Sequence, residues 1–280
     1  MSLWESILVA LQGLRANKMR SALTALGVII GVSAVITMLA VATGAKESMM
    51  ERIQGMGTNI LFIRPGQSRS MGVRTRVDTL TMEDSNAIAE ECKLIARTAP
   101  EVSTRAQVKY GSANSNLTIL GTSADFPEVR NYEIETGRFF NESEQRTSKK
   151  VAILGPTVVE DMLGGDNPIG KKIRIRGILF EIIGVTAEKG AGGFGDPDNQ
   201  IYIPITTAMK RVFGLEYVNS ISAQAISDDV MEDAQLEIEE LMRERHKIRA
   251  GEDDDFYVRN QADIVEMANE AAGIFCFWAG

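Results

Sequence analysis

Cysteine and histidine are almost missing from this chain. Cys92, Cys276 and His246 are the only ones in 280 residues, so a disulfide framework is absent and the ligands of a zinc site are all but unavailable. Two isolated cysteines say nothing about redox compartment. A basic excess is missing too: the net charge is -8, which removes the electrostatic footprint of a nucleic-acid binder. No Ser or Cys nucleophile motif accompanies His246, so an extracytoplasmic hydrolase has no residues to nominate. Near the end of an acidic helix, His246 reads as a partly positive imidazole at the negative end of the dipole. Apolar residues, by contrast, make up 44% of the chain, enough for a substantial core.

Charge is also missing from one long stretch. Residues 21–45, SALTALGVIIGVSAVITMLAVATGA, carry no ionisable side chain, and as a helix they would reach about 37 Å against a hydrocarbon core of ~30 Å. Thr24, Ser33 and Thr37 can return their hydroxyls to the backbone one turn earlier. A transmembrane helix is the expectation. A cleaved signal peptide has a shorter apolar region, and a buried soluble helix would keep a polar stripe. Arg15, Lys18 and Arg20 crowd the N-terminal flank, while Lys46, Glu47, Glu51 and Arg52 balance the other. This asymmetry predicts a cytoplasmic N-terminus. Upstream, residues 1–20 place Trp4, Ile7, Leu8, Leu11 and Leu14 at helical spacing, as an amphipathic helix lying in the membrane interface would. Gly27 and Gly31 form a GxxxG, a candidate face for close helix packing.

The remainder, 46–268, reads as a mixed α+β extracytoplasmic domain of one or two lobes. A helical continuation to about Met56 precedes a strand at 59–64 and a mobile polar loop over 67–76. Thr81-Met-Glu-Asp84 looks like a helix N-cap, and Pro100 restarts the chain. Short strands are expected at 102–110, 117–122, 151–154, 172–176, 180–186 and 201–204. Helices are expected at 156–163 and 228–246, the latter with an apolar stripe of Val230, Ala234, Ile238, Leu241 and Met242 against an acidic face. The apolar tail 269–280 is too short to span a bilayer and reads as the truncated start of a second membrane helix.

Three segments imitate binding sites. Gly165–Lys172 fits the first seven positions of a phosphate-binding P-loop, but Lys172 stands where a Ser or Thr hydroxyl is needed, and the helix precedes rather than follows. It reads as a tight turn. Gly190–Asn199 offers Asp196, Asp198 and Asn199 but lacks EF-hand spacing, so it reads as a flexible loop. Asp253-Asp254-Asp255 reads as a solvated turn.

An ordered series of segments then resembles a known family. It comprises LxxLxxNKMRSALTALGVIIGVSAVI (11–36), GMGTNILFIRPG (55–66), ETGRFFNESE (135–144), VAILGPTVVEDML (151–163), NPIGKKIRIRGILFEIIGV (167–185), IYIPITTAMKRVFG (201–214) and RERHKIRAGEDDDFYVRNQADI (243–264). Together they resemble the permeases of MacB-like ABC transporters, relatives of lipoprotein-releasing and FtsX-type permeases. The resemblance implies a membrane-anchored α+β permease subunit of the inner membrane, working in efflux or release of substrate. It also implies a separate cytoplasmic ATPase that holds ATP and magnesium, no cofactor in this chain, and a homodimer or paired permease. A periplasmic adaptor and outer-membrane duct are further implied partners. Three later membrane helices are usual in the family. A single-span binding or scaffold protein is the alternative that the residues alone allow.

Overall fold

The computed structural model describes Trp4 and residues 17–54, 59–70, 73–76, 79–190, 196–249 and 251–260. The interfacial helix expected over 1–20 therefore lies outside the described residues except at Trp4 and 17–20. Also outside are Arg15, residues 191–195 and the tail with Cys276. Two compact units divide the chain, residues 1–51 with 272–280, and residues 52–271.

Helix α1 (Lys18–Gln54), most of it in the first unit, includes 24 residues, Lys18–Val41, long and apolar enough to cross a membrane. Every side chain from Ala22 to Val41 is exposed. A soluble core helix would bury this surface, so the bare apolar cylinder matches a helix solvated by lipid. Thr24 and Thr37 donate their hydroxyls to the carbonyls of Arg20 and Ser33, each at 2.8 Å.

The second unit is built on ten paired strands: β1 (Ile60–Pro65), β4 (Ile95–Tyr110), β5 (Ala113–Thr122), β6 (Ile134–Gly137), β7 (Val151–Leu154), β8 (Lys172–Ile175), β9 (Ile178–Thr186), β10 (Gln200–Pro204), β11 (Ser220–Ala225) and β12 (Phe256–Asn260). The polar segment expected as a loop instead pairs as an antiparallel hairpin, β2 (Gln67–Ser70) with β3 (Val73–Arg76). Backbone pairing does not require apolar side chains, so polarity misled there.

Pairing around β4, β5, β10, β7, β9 and β8 returns to β4 and closes a ring. An open extension, β11–β1–β12, leaves from the first half of β4. The one-or-two-lobe expectation thus resolves into two parts sharing one 16-residue strand.

Helices complete the unit. Helix α2 (Met82–Glu91) opens with the Thr81–Asp84 capping box. Short helices α3 (Phe126–Val129) and α4 (Glu142–Arg146) follow, then α5 (Pro156–Leu163). A turn, α6 (Ile205–Thr207), runs into a π-helix, Ala208–Phe213. Helix α7 (Met231–Arg245) buries Ala234, Ile238 and Met242. These join Leu61, Val108, Ile175, Phe180 and Ile201 in the main core, while Phe126, Phe140, Ile153 and Tyr202 form a second core on the other sheet face.

Candidate functional site

The chain enters the domain's sheet through β1 and leaves the described structure through β12, and these two strands are antiparallel neighbours from Leu61↔Asn260 to Pro65↔Phe256. Where the pair ends, Asp255 gathers its surroundings. Its carbonyl accepts from Gly66 N at 2.6 Å and Thr79 Oγ1 at 3.1 Å. Its carboxylate meets His246 Nδ1 at 2.8 and 3.0 Å. A Cβ on Gly66 would lie 2.7 Å from the Asp255 carbonyl carbon, so only glycine permits this approach. Asp255 is therefore not the solvated turn residue expected from sequence. Asp254 is also engaged, by Arg243 Nη1 at 2.5 Å.

The other face of the imidazole meets Asp84, with Nε2 3.4 Å from Oδ2. Asp84 also accepts from Arg245 Nε at 2.9 Å, Thr81 N at 2.9 Å and Thr81 Oγ1 at 2.7 Å. The C-terminus of α7 thereby joins the N-terminus of α2 to the turn before β12. Burial alone would push the Asp84 carboxyl up, but His246, Thr81 and Arg245 together hold it well below the ordinary carboxylate range. The hydrogen bond to Asp84, aided by Asp255 and opposed by burial, lifts the His246 pKa above 6.5. The cluster has a charge pattern for holding elements together. Among the described residues no group of His, Cys, Asp and Glu could hold a metal ion.

The residues singled out in α1 occupy different settings. Gly27 and Gly31, four apart, share one helix face, and a Cβ at either would meet nothing within 4 Å. Lys18 and Arg20 are exposed in the first turn. The P-loop imitation is a turn between α5 and β8, closed by Gly170 N donating to the Ile182 carbonyl at 2.8 Å. Asp198, offered by sequence as a cation ligand, is buried and accepts from the amides of Lys189 at 2.9 Å and Gly190 at 2.7 Å. Its oxygens pin the base of the loop. Burial pushes the Cys92 thiol up to about 11, which makes it a core side chain and not a nucleophile.

A second charge cluster escaped sequence reasoning. Arg138 donates to both oxygens of Glu144 at 2.7 and 2.8 Å, and Lys149 adds a bond at 2.9 Å. These bonds, led by Arg138, lower the Glu144 pKa to about 2. Asn141 and Glu144 also form a capping box on α4, a local signal present in the sequence as N-x-x-E.

A family model described as the MacB-like periplasmic core domain matches residues 21–241. The chain belongs to that family. Among its relatives, the macrolide export ATP-binding/permease protein MacB of Chlorobium phaeobacteroides is 38% identical over 261 residues, 92% of this chain and 40% of that protein. MacB of Bdellovibrio bacteriovorus is 36% identical over 268 residues, 93% of this chain and 41% of that protein. The chain thus spans about two fifths of the length of these relatives. Two solved structures share the fold of the MacB-like core domain. The periplasmic region of MacB from Actinobacillus actinomycetemcomitans superposes with a TM-score of 0.65 at 21% identity, covering 79% of this chain and 97% of that one. The extracellular domain of the noncanonic ABC-type transporter YknZ from Gram-positive bacteria gives 0.60 at 20% identity, covering 72% and 100%. The fold expectation, an apolar N-terminal helix followed by a mixed α+β domain, is met in this MacB-like chain.

Proposed function

We propose that this chain is the permease part of a MacB-type ABC transporter. A separate cytoplasmic ATPase binds ATP and magnesium, and its hydrolysis cycle moves the domain at 46–268 to drive efflux or release of a substrate. The observation carrying this reading is the family match over 21–241 together with its relatives named as export ATP-binding/permease proteins. The N-terminus lies in the cytoplasm, set by Arg15, Lys18 and Arg20, and the domain lies outside it. The spanning helix at 21–45 anchors the chain in the bilayer. A periplasmic adaptor and outer-membrane duct carry the substrate onward. Co-purification of the chain with an ATPase encoded beside it is the test. Recovery without an ATPase, and no gain in ATP hydrolysis when the two are reconstituted, would overturn the proposal.

Two permeases pair, with the open face at Gly27 and Gly31 admitting a neighbouring helix. Changing both to Leu is expected to weaken association in a membrane two-helix assay. Unchanged association would remove those glycines from the interface.

A further inference from the structure

The outer wall of the ring is exposed where the second half of β4 runs beside the start of β5, β8 and the start of β9. On β4, Val102, Ala106 and Val108 face the core, while Arg105, Gln107 and Lys109 are exposed. Cross-strand pairing sets Thr118, Asn116 and Asn114 of β5 opposite those three in turn. On the other side Lys109 stands directly opposite Arg174 of β8, and Arg174 opposite the exposed Leu179 of β9. Lys172 faces Glu181, the one acid of this wall. Strand spacings make the patch on the order of 15 Å by 15 Å.

Two observations set this wall apart. Arg105, Lys109 and Arg174 are in no ion pair among the described residues; Arg174 spends Nη1 on the Gly177 carbonyl at 3.0 Å. Lys109 opposite Arg174 is also a like-charge cross-strand pair, an arrangement that destabilises a sheet. In a chain of net charge -8, an unpaired basic cluster kept against stability calls for an anionic counterpart.

We propose that this wall docks the carboxylate-bearing surface of a protein partner. Arg105, Lys109 and Arg174 supply the charge. Asn114, Asn116 and Gln107 carry acceptors as well as donors, which suits peptide groups, whereas a sulfated or phosphorylated polymer offers only acceptors and leaves half that capacity idle. A lipid surface would call for apolar side chains to insert, and Leu179 stands alone. A second copy of the chain has an acidic helix to offer, α7, but α7 packs on the core side of the sheet, opposite this wall. Copies joined that way would meet through two different surfaces, head to tail, and not as a two-fold pair. The small, charged patch fits a transient, salt-sensitive contact steered by electrostatics.

The test uses the chain in phosphatidylcholine nanodiscs and a synthetic peptide alternating Glu and Thr, followed by fluorescence anisotropy at low and physiological salt. Comparison probes are the matching Gln–Thr peptide, a heparin fragment and phosphatidylglycerol vesicles. The acidic peptide is expected to bind more tightly than the neutral one, and Lys109→Glu to weaken it roughly tenfold. Lys210→Glu, on the π-helix, should change nothing. Because Lys109→Glu replaces a repulsion with an attraction to Arg174, its thermal midpoint should equal or exceed the parent's. Arg105→Glu, opposite the neutral Thr118, gives an independent variant with the same loss expected. Peptide affinity unmoved by both variants would overturn the proposal. So would heparin or vesicle binding that these variants abolish while the peptide fails to bind.

Discussion

His246 touches two carboxylates at once, and only its protonated form can donate to both. Its folded pKa lies above the ordinary 6.5, so its contribution is complete below about pH 6.5 and fades as pH rises through the raised value. Asp84 has the opposite sign: its lowered pKa stabilises the fold above the ordinary carboxylate range, and that contribution is lost as pH falls. His246→Gln is expected to cost about 1–2 kcal/mol on the acid side of neutrality and much less at alkaline pH. Thermal unfolding of parent and variant from about pH 5 to about pH 9 checks this, and parallel profiles would show that the imidazole charge contributes nothing. Half of this cluster was legible in the sequence. The Thr81–Asp84 cap and the position of His246 at the end of α7 are local signals. Asp84 as the partner of His246, 162 positions away, is not, because only the tertiary fold brings α2 and α7 together.

At the scale of elements, β4 shows why boundaries are harder to read than elements themselves. Pro100, which the sequence suggests as a break, lies inside this strand. Pairing with β5 starts only at Glu101, so at Pro100 the strand has β11 on one side and no second sheet neighbour. The missing N–H is tolerated there, as at an edge. Strands β6 and β12 are too short to stand out in the sequence, and β11, SISAQA, alternates polar with apolar residues but offers only one β-branched side chain to mark it as a strand. The last described strand begins beside one close backbone contact. Gly66→Ala would drive a methyl into the Asp255 backbone, with an expected cost of about 1–3 kcal/mol. Faster amide hydrogen exchange at 255–258 than elsewhere in the sheet is the expected signature. A uniform change across all strands would argue against a local wedge.

For the whole molecule, the decisive division is between a helix with no buried side chains over Ala22–Val41 and a domain with an extensive buried apolar core. Composition and periodicity were enough to find that division, because a charge-free run needs no tertiary context to be recognised. Ile30→Asp, near the middle of the apolar stretch, is expected to cost about 2.5–3.5 kcal/mol of insertion free energy. The measurement is the fraction of chain retained in membranes after alkaline extraction, and full retention would mean that this helix is not the anchor.

The antiparallel pairing of β1 with β12 also has a mechanical meaning. The chain arrives at Ile60 and departs at Asn260, and Leu61 and Asn260 are partners, so both connections leave from the same end of the strand pair. A pull that separates them loads the ladder one bond at a time, as in opening a zipper, the geometry of least resistance. A pull that carries both together loads none of those bonds. Such a domain transmits displacement well when its two tethers travel as one, and peels from its own edge when they part.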